Sequence, residues 1–60
     1  MKLESGGKNY TIEKDYRGQH VVRYFPTVFV SGEEIGSATS LESAYSIVVR
    51  HSGSEKLLIK

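Results

Sequence analysis

The chain has no cysteine, a single proline, almost no net charge and no long apolar run. Each shortage excludes something. Without cysteine there is neither a disulfide nor a thiolate zinc site, so a fold of 60 residues must rest on a compact core or on self-association. The same lack fits a reducing compartment. A chain of this size buries only about 60% of the surface its unfolded form exposes, and its single core supplies roughly 3–5 kcal/mol or less. Eight Lys and Arg against seven Asp and Glu leave +1, far from the basic balance of a dedicated nucleic-acid binder. No stretch approaches the ~18–20 apolar residues that span a bilayer. Met1–Lys8 also lacks the apolar segment of a secretory signal. The expectation is a cytoplasmic protein with one domain, residues 8–60, preceded by a flexible polar arm, residues 1–7, ending in Gly6-Gly7.

What is present is a change of hydrophobic period. In Lys8–Lys14, Tyr10 and Ile12 alternate with Asn9, Thr11 and Glu13, which predicts a half-buried strand. Asp15-Tyr16-Arg17-Gly18 reads as a turn, and Gln19–Phe25 as a second strand rich in β-branched and aromatic residues. Pro26 cannot donate to a ladder. It either kinks one long strand into Thr27–Val30 or separates two, and the kink is preferred because only Pro-Thr parts the runs. Ser31-Gly32-Glu33 reads as a hairpin turn and Glu34–Ala38 as a return strand, with Gly36 marking a bulge or an edge. Thr39-Ser40-Leu41-Glu42 has the spacing of a capping box. Leu41, Ala44, Tyr45 and Val48 then recur at helical spacing, which predicts a helix over 40–51, stopped by Gly53 and favoured by Arg50 and His51 at its negative end. Ile47-Val48-Val49 is a poor helical run that packing must hold. Lys56–Ile59 reads as a last strand.

The predicted fold is therefore α+β: an antiparallel sheet of three to four strands, order β-β-β-α-β, with one helix on one face. Tyr10, Ile12, Val22, Tyr24, Phe29, Leu41, Ala44, Tyr45, Val48 and Leu58 form the expected core, with Ile35 as a further candidate. Val21, Phe25, Val28, Val30 and Leu57 fall on the other face. One helix cannot cover both faces, so this apolar surplus points to a partner surface, a protein or a second copy in a homodimer.

The motifs that would carry chemistry are weak. No serine lies in a nucleophile elbow. His20 and His51 are far apart, and with Glu33-Glu34 they make no recognisable ligand set, so no catalytic residue, metal or cofactor is assigned. Gly6-Gly7-Lys8 lacks P-loop spacing, and Asn9-Tyr10-Thr11 is a chance glycosylation sequon inside a strand. The chain is read as non-enzymatic. Lys14, Tyr16, Arg17, His20 and Arg23 cluster around the first hairpin, where basic groups and an aromatic could contact phosphates and stack a base; nucleic-acid (DNA) binding is the alternative reading. The preferred one is protein binding, with Phe25, Val28 and Val30 as apolar anchors and Arg17 and Arg23 giving polar specificity.

A strand hairpin, the capped Thr39-Ser40-Leu41-Glu42-Ser43-Ala44 helix and a short terminal strand together resemble the small phage-encoded inhibitors of host RNA polymerase. The same order, over residues 8–59, is similar to short uncharacterised bacterial β-β-β-α-β domains. The three strands and helix also resemble the arm-site DNA-binding domain of phage integrases, although the near-neutral charge and the strand after the helix depart from it. The first resemblance implies a phage-type regulator or inhibitor that binds a large protein through its sheet; no functional residues are carried over.

Overall fold

The computed structural model describes residues 1–26 and 31–60. The order is β1 (Lys2–Ser5), β2 (Lys8–Lys14), β3 (His20–Phe25), β4 (Glu33–Ala38), α1 (Leu41–Ser52) and β5 (Leu58–Ile59). The strands form one five-stranded sheet in the order β4-β3-β2-β1-β5, antiparallel at every pairing. This is the predicted α+β class, an antiparallel sheet with a helix, enlarged by one strand at the N-terminus.

That strand corrects the expectation of a flexible arm. Lys2–Ser5 pairs with β2, Leu3 opposite Tyr10 and Ser5 opposite Lys8, and Leu3 and Ser5 are buried. Gly6 and Gly7 make the two-residue connection, with φ of 59° and 77°. Positive φ at both central residues is what a tight hairpin turn matched to strand twist demands.

β2 follows the predicted bounds, and the turn after it is organised by Asp15. Its carboxylate Oδ1 accepts from the backbone N–H of Arg17 at 2.8 Å and of Gln19 at 2.9 Å. The Pro26 kink, the Thr27–Val30 strand and the core position of Phe29 lie outside the described residues. β4 begins at Glu33 and carries the bulge expected at Gly36: Val22 faces Gly36 while Arg23 faces Glu34, leaving Ile35 as the extra residue. Gly36 also answers a close approach, since a Cβ there would lie 3.1 Å from Ile47 Cδ1 on the helix.

The helix starts one residue later than expected. Ser40, not Thr39, is the cap, and its Oγ accepts from Ser43 N at 3.2 Å. Glu42 falls in the first turn, where its charge suits the positive helix end, but it cannot close a capping box. Gly53 ends the helix in the left-handed region, its N–H bonded to Val49 O at 2.9 Å. The β-branched Ile47-Val48-Val49 run is held by packing: Val48 is fully buried and Ile47 packs on the core.

The core is Leu3, Tyr10, Ile12, Val22, Ala44 and Val48, flanked by Tyr24, Ile35, Ala38, Leu41, Tyr45, Ile47 and Leu57. The final strand corrects the expected parity. Leu57 packs on the core, and Leu58 is 60% exposed. The reason is register: Ile59 stands opposite Leu3 and shares its face, so Leu58, opposite Glu4, points the other way.

At the close of this hairpin, Ser5 Oγ donates to the Lys56 carbonyl at 2.8 Å and lies 2.8 Å from Ser52 Oγ. It ties β1 to the helix end and to the chain leading into β5. A buried hydroxyl needs such partners, because leaving it unpaired costs about 1–3 kcal/mol. Removal of residues 1–5 is therefore expected to abolish cooperative thermal unfolding, since it deletes Leu3 and Ser5 from a core worth only a few kcal/mol. A truncated chain that melts like the parent in circular dichroism would return the segment to the status of an arm.

Candidate protein-docking surface

Cross-strand partners share a face. Tyr10, Ile12 and Val22 turn toward α1, so Asn9, Thr11, Glu13, Val21, Arg23 and Phe25 turn away from it. Lys2 and Glu4 on β1 and Leu58 on β5 join them through their pairings. Arg23 faces Glu34 across β3 and β4 and Thr11 across β2 and β3. Among the described residues no helix lies on this outer sheet face.

An open groove of about 620 Å³ is lined by Lys2 and Lys60, Asn9 and Thr11, and Phe25 and Pro26. It offers amines, an amide and a hydroxyl, then an aromatic ring and a proline. That mixture can hold a polar-apolar surface; it contains no paired acid and base. Charges around it are balanced: Lys2, Arg23 and Lys60 against Glu4, Glu13 and Glu34. Lys60 Nζ lies 3.0 Å from Glu4 Oε1 and donates to Asn9 Oδ1 at 3.3 Å. The N-terminal ammonium lies 3.3 Å from Glu13 Oε1.

The residues singled out from the sequence are only partly brought together. Phe25 and Arg23 lie on the outer face, Phe25 half-buried and Arg23 exposed. Val28 and Val30 lie outside the described residues, and Leu57, expected on this face, packs on the core instead. The apolar surplus among the described residues is thereby reduced to Val21, Phe25 and Leu58. Arg17 is at the β2–β3 turn, its Nε 3.8 Å from Asp15 Oδ2 and its guanidinium 5.4 Å from the Tyr16 ring centre. Tyr16 is 93% exposed. Lys14 and His20 face each other at the strand ends and share the face of Ile12 and Val22, opposite to Arg23. The basic hairpin set is therefore split between the tip and two faces. The sequence reading missed Lys2, Glu4 and Lys60 as surface groups, because β1 and its pairing to β5 were not foreseen.

On the helix side, His51 forms an unforeseen cluster. Tyr10 Oη lies 2.8 Å from His51 Nδ1, and the Tyr24 and His51 rings are 4.7 Å apart. Burial, and secondarily Tyr24 nearby, raises the Tyr10 phenol above its ordinary pKa. At the hairpin turn, the Gln19 N–H holds the Asp15 carboxyl below the usual carboxylate range, against a partial desolvation that opposes it, with the Arg17 N–H and charge assisting. Among the described residues no group of three or more His, Asp or Glu side chains is placed to hold a metal ion. Among them, too, no helix is long and apolar enough to cross a membrane.

No protein-family model, curated protein or solved structure matches the chain. The geometry alone carries the functional argument.

Two titrations check the local electrostatics. A carboxyl held below its unfolded value stabilises the fold above the ordinary carboxylate pKa, and that contribution is lost as pH falls through the lowered one. Asp15→Ala is therefore expected to be less stable than the parent at neutral pH, the gap closing toward pH ~2; an equal gap at both ends in denaturant melts contradicts this. Tyr10 runs the other way. Its raised phenol keeps the fold unaffected below the ordinary phenol pKa and weakens it as pH rises beyond. Tyr10→Phe should cost about 1 kcal/mol at pH 7 and lose less stability than the parent in alkali. A parent with no alkaline loss would refute the assignment.

Proposed function

We propose that this chain is a small non-enzymatic protein-binding module, a regulator or inhibitor of phage type acting on a larger host protein, and that it docks through the outer sheet face. The observation that carries the reading is the uncovered face itself, with its groove ending in Phe25 and Pro26 and its balanced charged groups. Interfaces of this kind combine a modest apolar centre with a polar rim. A duplex or single strand would call for a basic face instead.

The nucleic-acid reading keeps one supporting observation, the exposed Tyr16 with Arg17 beside its ring. With Lys14 and His20 on one face and Arg23 on the other, that contact would be confined to the hairpin tip. A homodimer closing the outer face against itself is the remaining reading.

A photoreactive residue at Thr11 or Arg23, irradiated in nuclease-treated bacterial lysate, is expected to give one discrete protein adduct. Val21→Ser combined with Lys2→Glu should weaken its yield about tenfold, the loss of one anchor and one favourable charge. Adducts only from position 16 that vanish with nuclease would move the function to nucleic acid. An adduct with the chain itself would establish the homodimer.

A further inference from the structure

β5 is an end strand of the sheet among the described residues, and its backbone is only half used. Lys60 N donates to the Lys2 carbonyl at 2.9 Å, while Ile59 stands opposite Leu3 and Leu58 opposite Glu4. Hydrogen bonding alternates between successive pairs of an antiparallel ladder. Leu58 and Lys60 therefore turn their N–H and C=O toward β1, and Ile59 turns both of its groups to the open side.

The side chains beside this edge are bare as well. Leu58 is 60% exposed on the outer face and Ile59 is 64% exposed on the helix side. The helix packs mainly on β4 and β3, so it does not reach over β5. The opposite edge is treated differently: β4 has a bulge, the Glu33-Glu34 pair and the helix above it. These are ordinary means of blocking strand addition, and among the described residues β5 has neither bulge nor cover.

We propose that β5 is a docking edge for an extended segment of a partner protein with alternating apolar and acidic side chains. The segment would add as a sixth strand, bonded to Ile59 through its own backbone. This rests on the reading of the chain as a protein-binding module and names the chemistry of its partner. An unpaired amide and carbonyl call for an extended backbone. Ile59, which shares the helix side of the sheet with Leu57, calls for apolar residues on that face. The exposed Lys56 calls for acid, while Lys60 at the other end already pairs with Glu4. A second β5 is a poor occupant: pairing about Leu58 sets Lys56 opposite Lys60 of the other copy, which like charge disfavours. Pairing about Ile59 sets Leu58 opposite Lys60 of the other copy, an apolar side chain against a charged one.

The probe is a capped seven-residue peptide of alternating valine and glutamate, with a valine-lysine peptide as control, titrated into the full chain. The glutamate peptide is expected to shift and protect the Ile59 amide in nuclear magnetic resonance, and the lysine peptide to bind about tenfold more weakly. Lys56→Glu should weaken the glutamate peptide about fivefold. Chemical synthesis of the chain with an N-methyl group on Ile59 should leave the thermal melt unchanged, because that N–H serves no bond among the described residues, and should abolish peptide binding. Absence of binding overturns the proposal. So do equal binding of the two peptides, survival of binding after N-methylation, a lowered melt of the methylated chain, or an Ile59 shift driven by protein concentration alone. Crosslinking from Thr11 and Arg23 reads the outer face independently, so its persistence alongside failed peptide binding would refute the edge and spare the module.

Discussion

Among the described residues one helix must secure five strands, and that constraint governs the rest of the molecule. α1 has 12 residues and fully buries only Ala44 and Val48. These meet a sheet whose own buried apolar residues, among those described, are Leu3, Tyr10, Ile12 and Val22. Small residues make the contact close: Ala44 on the helix, and Gly36 on β4 under Ile47. Packing of this density lets a small apolar area count, since each buried methylene contributes about 0.8 kcal/mol and a void would forfeit it. It also offsets the rotamer freedom that Ile47, Val48 and Val49 lose in a helix.

Because the helix is displaced toward β3 and β4, polar contacts hold the far side. Ser5 reaches Ser52 and the Lys56 carbonyl, and Tyr10 reaches His51. The Ser52 and His51 contacts join the last turn of the helix to the β1–β2 hairpin, and the Lys56 bond joins β1 to the chain leading into β5. The other helix end is secured by the Ser40 cap and by Tyr45, whose hydroxyl lies 3.5 Å from Met1 Sδ. The N-terminal segment, Met1 with β1, is thus a participant in both ends of the helix packing, and the buried serine does for β1 what an apolar residue does elsewhere. Among the described residues no buried side-chain nitrogen or oxygen lacks a partner, the condition under which such polar contacts help rather than harm.

Much of this was legible in the sequence where the period was long enough to read. Tyr10 and Ile12 alternate over a seven-residue strand, and Leu41, Ala44 and Val48 recur over about two helical turns, so both elements and their buried faces follow from spacing. β1 was not legible by the same route. Four residues with one apolar side chain show no period, and its second inward residue, Ser5, is buried through hydrogen bonds that pattern reading does not see. The available signal was Gly6-Gly7 between two extended runs, a tight-hairpin sequence. The cap slipped by one because Thr39 and Ser40 are adjacent hydroxyls, and the choice between them depends on which start aims Ala44 and Val48 at the sheet. Leu57 and Leu58 exchanged faces because a two-residue strand takes its parity from its pairing with Leu3 and Glu4. The outer surface inherited both errors: Lys2, Glu4 and Lys60 meet only through β1, which was absent from the sequence reading, and its pairing with β5.

The charges of that surface bear on how it can bind. The Lys60–Glu4 pair and the N-terminal ammonium with Glu13 are partly exposed, and exposed pairs contribute only about 0–1 kcal/mol each to stability. A partner can therefore exchange its own charges for these at little cost to the fold. With Lys2, Arg23 and Lys60 balanced by Glu4, Glu13 and Glu34, the face also projects no strong field of one sign. Association would then gain little from long-range steering and depend weakly on salt, and selectivity would come from short-range fit. A neutral face and an open edge at β5 are compatible on one small sheet for that reason: the face can accept a surface of mixed charge, while the directional hydrogen bonds of the edge would set the alignment of whatever lies across it.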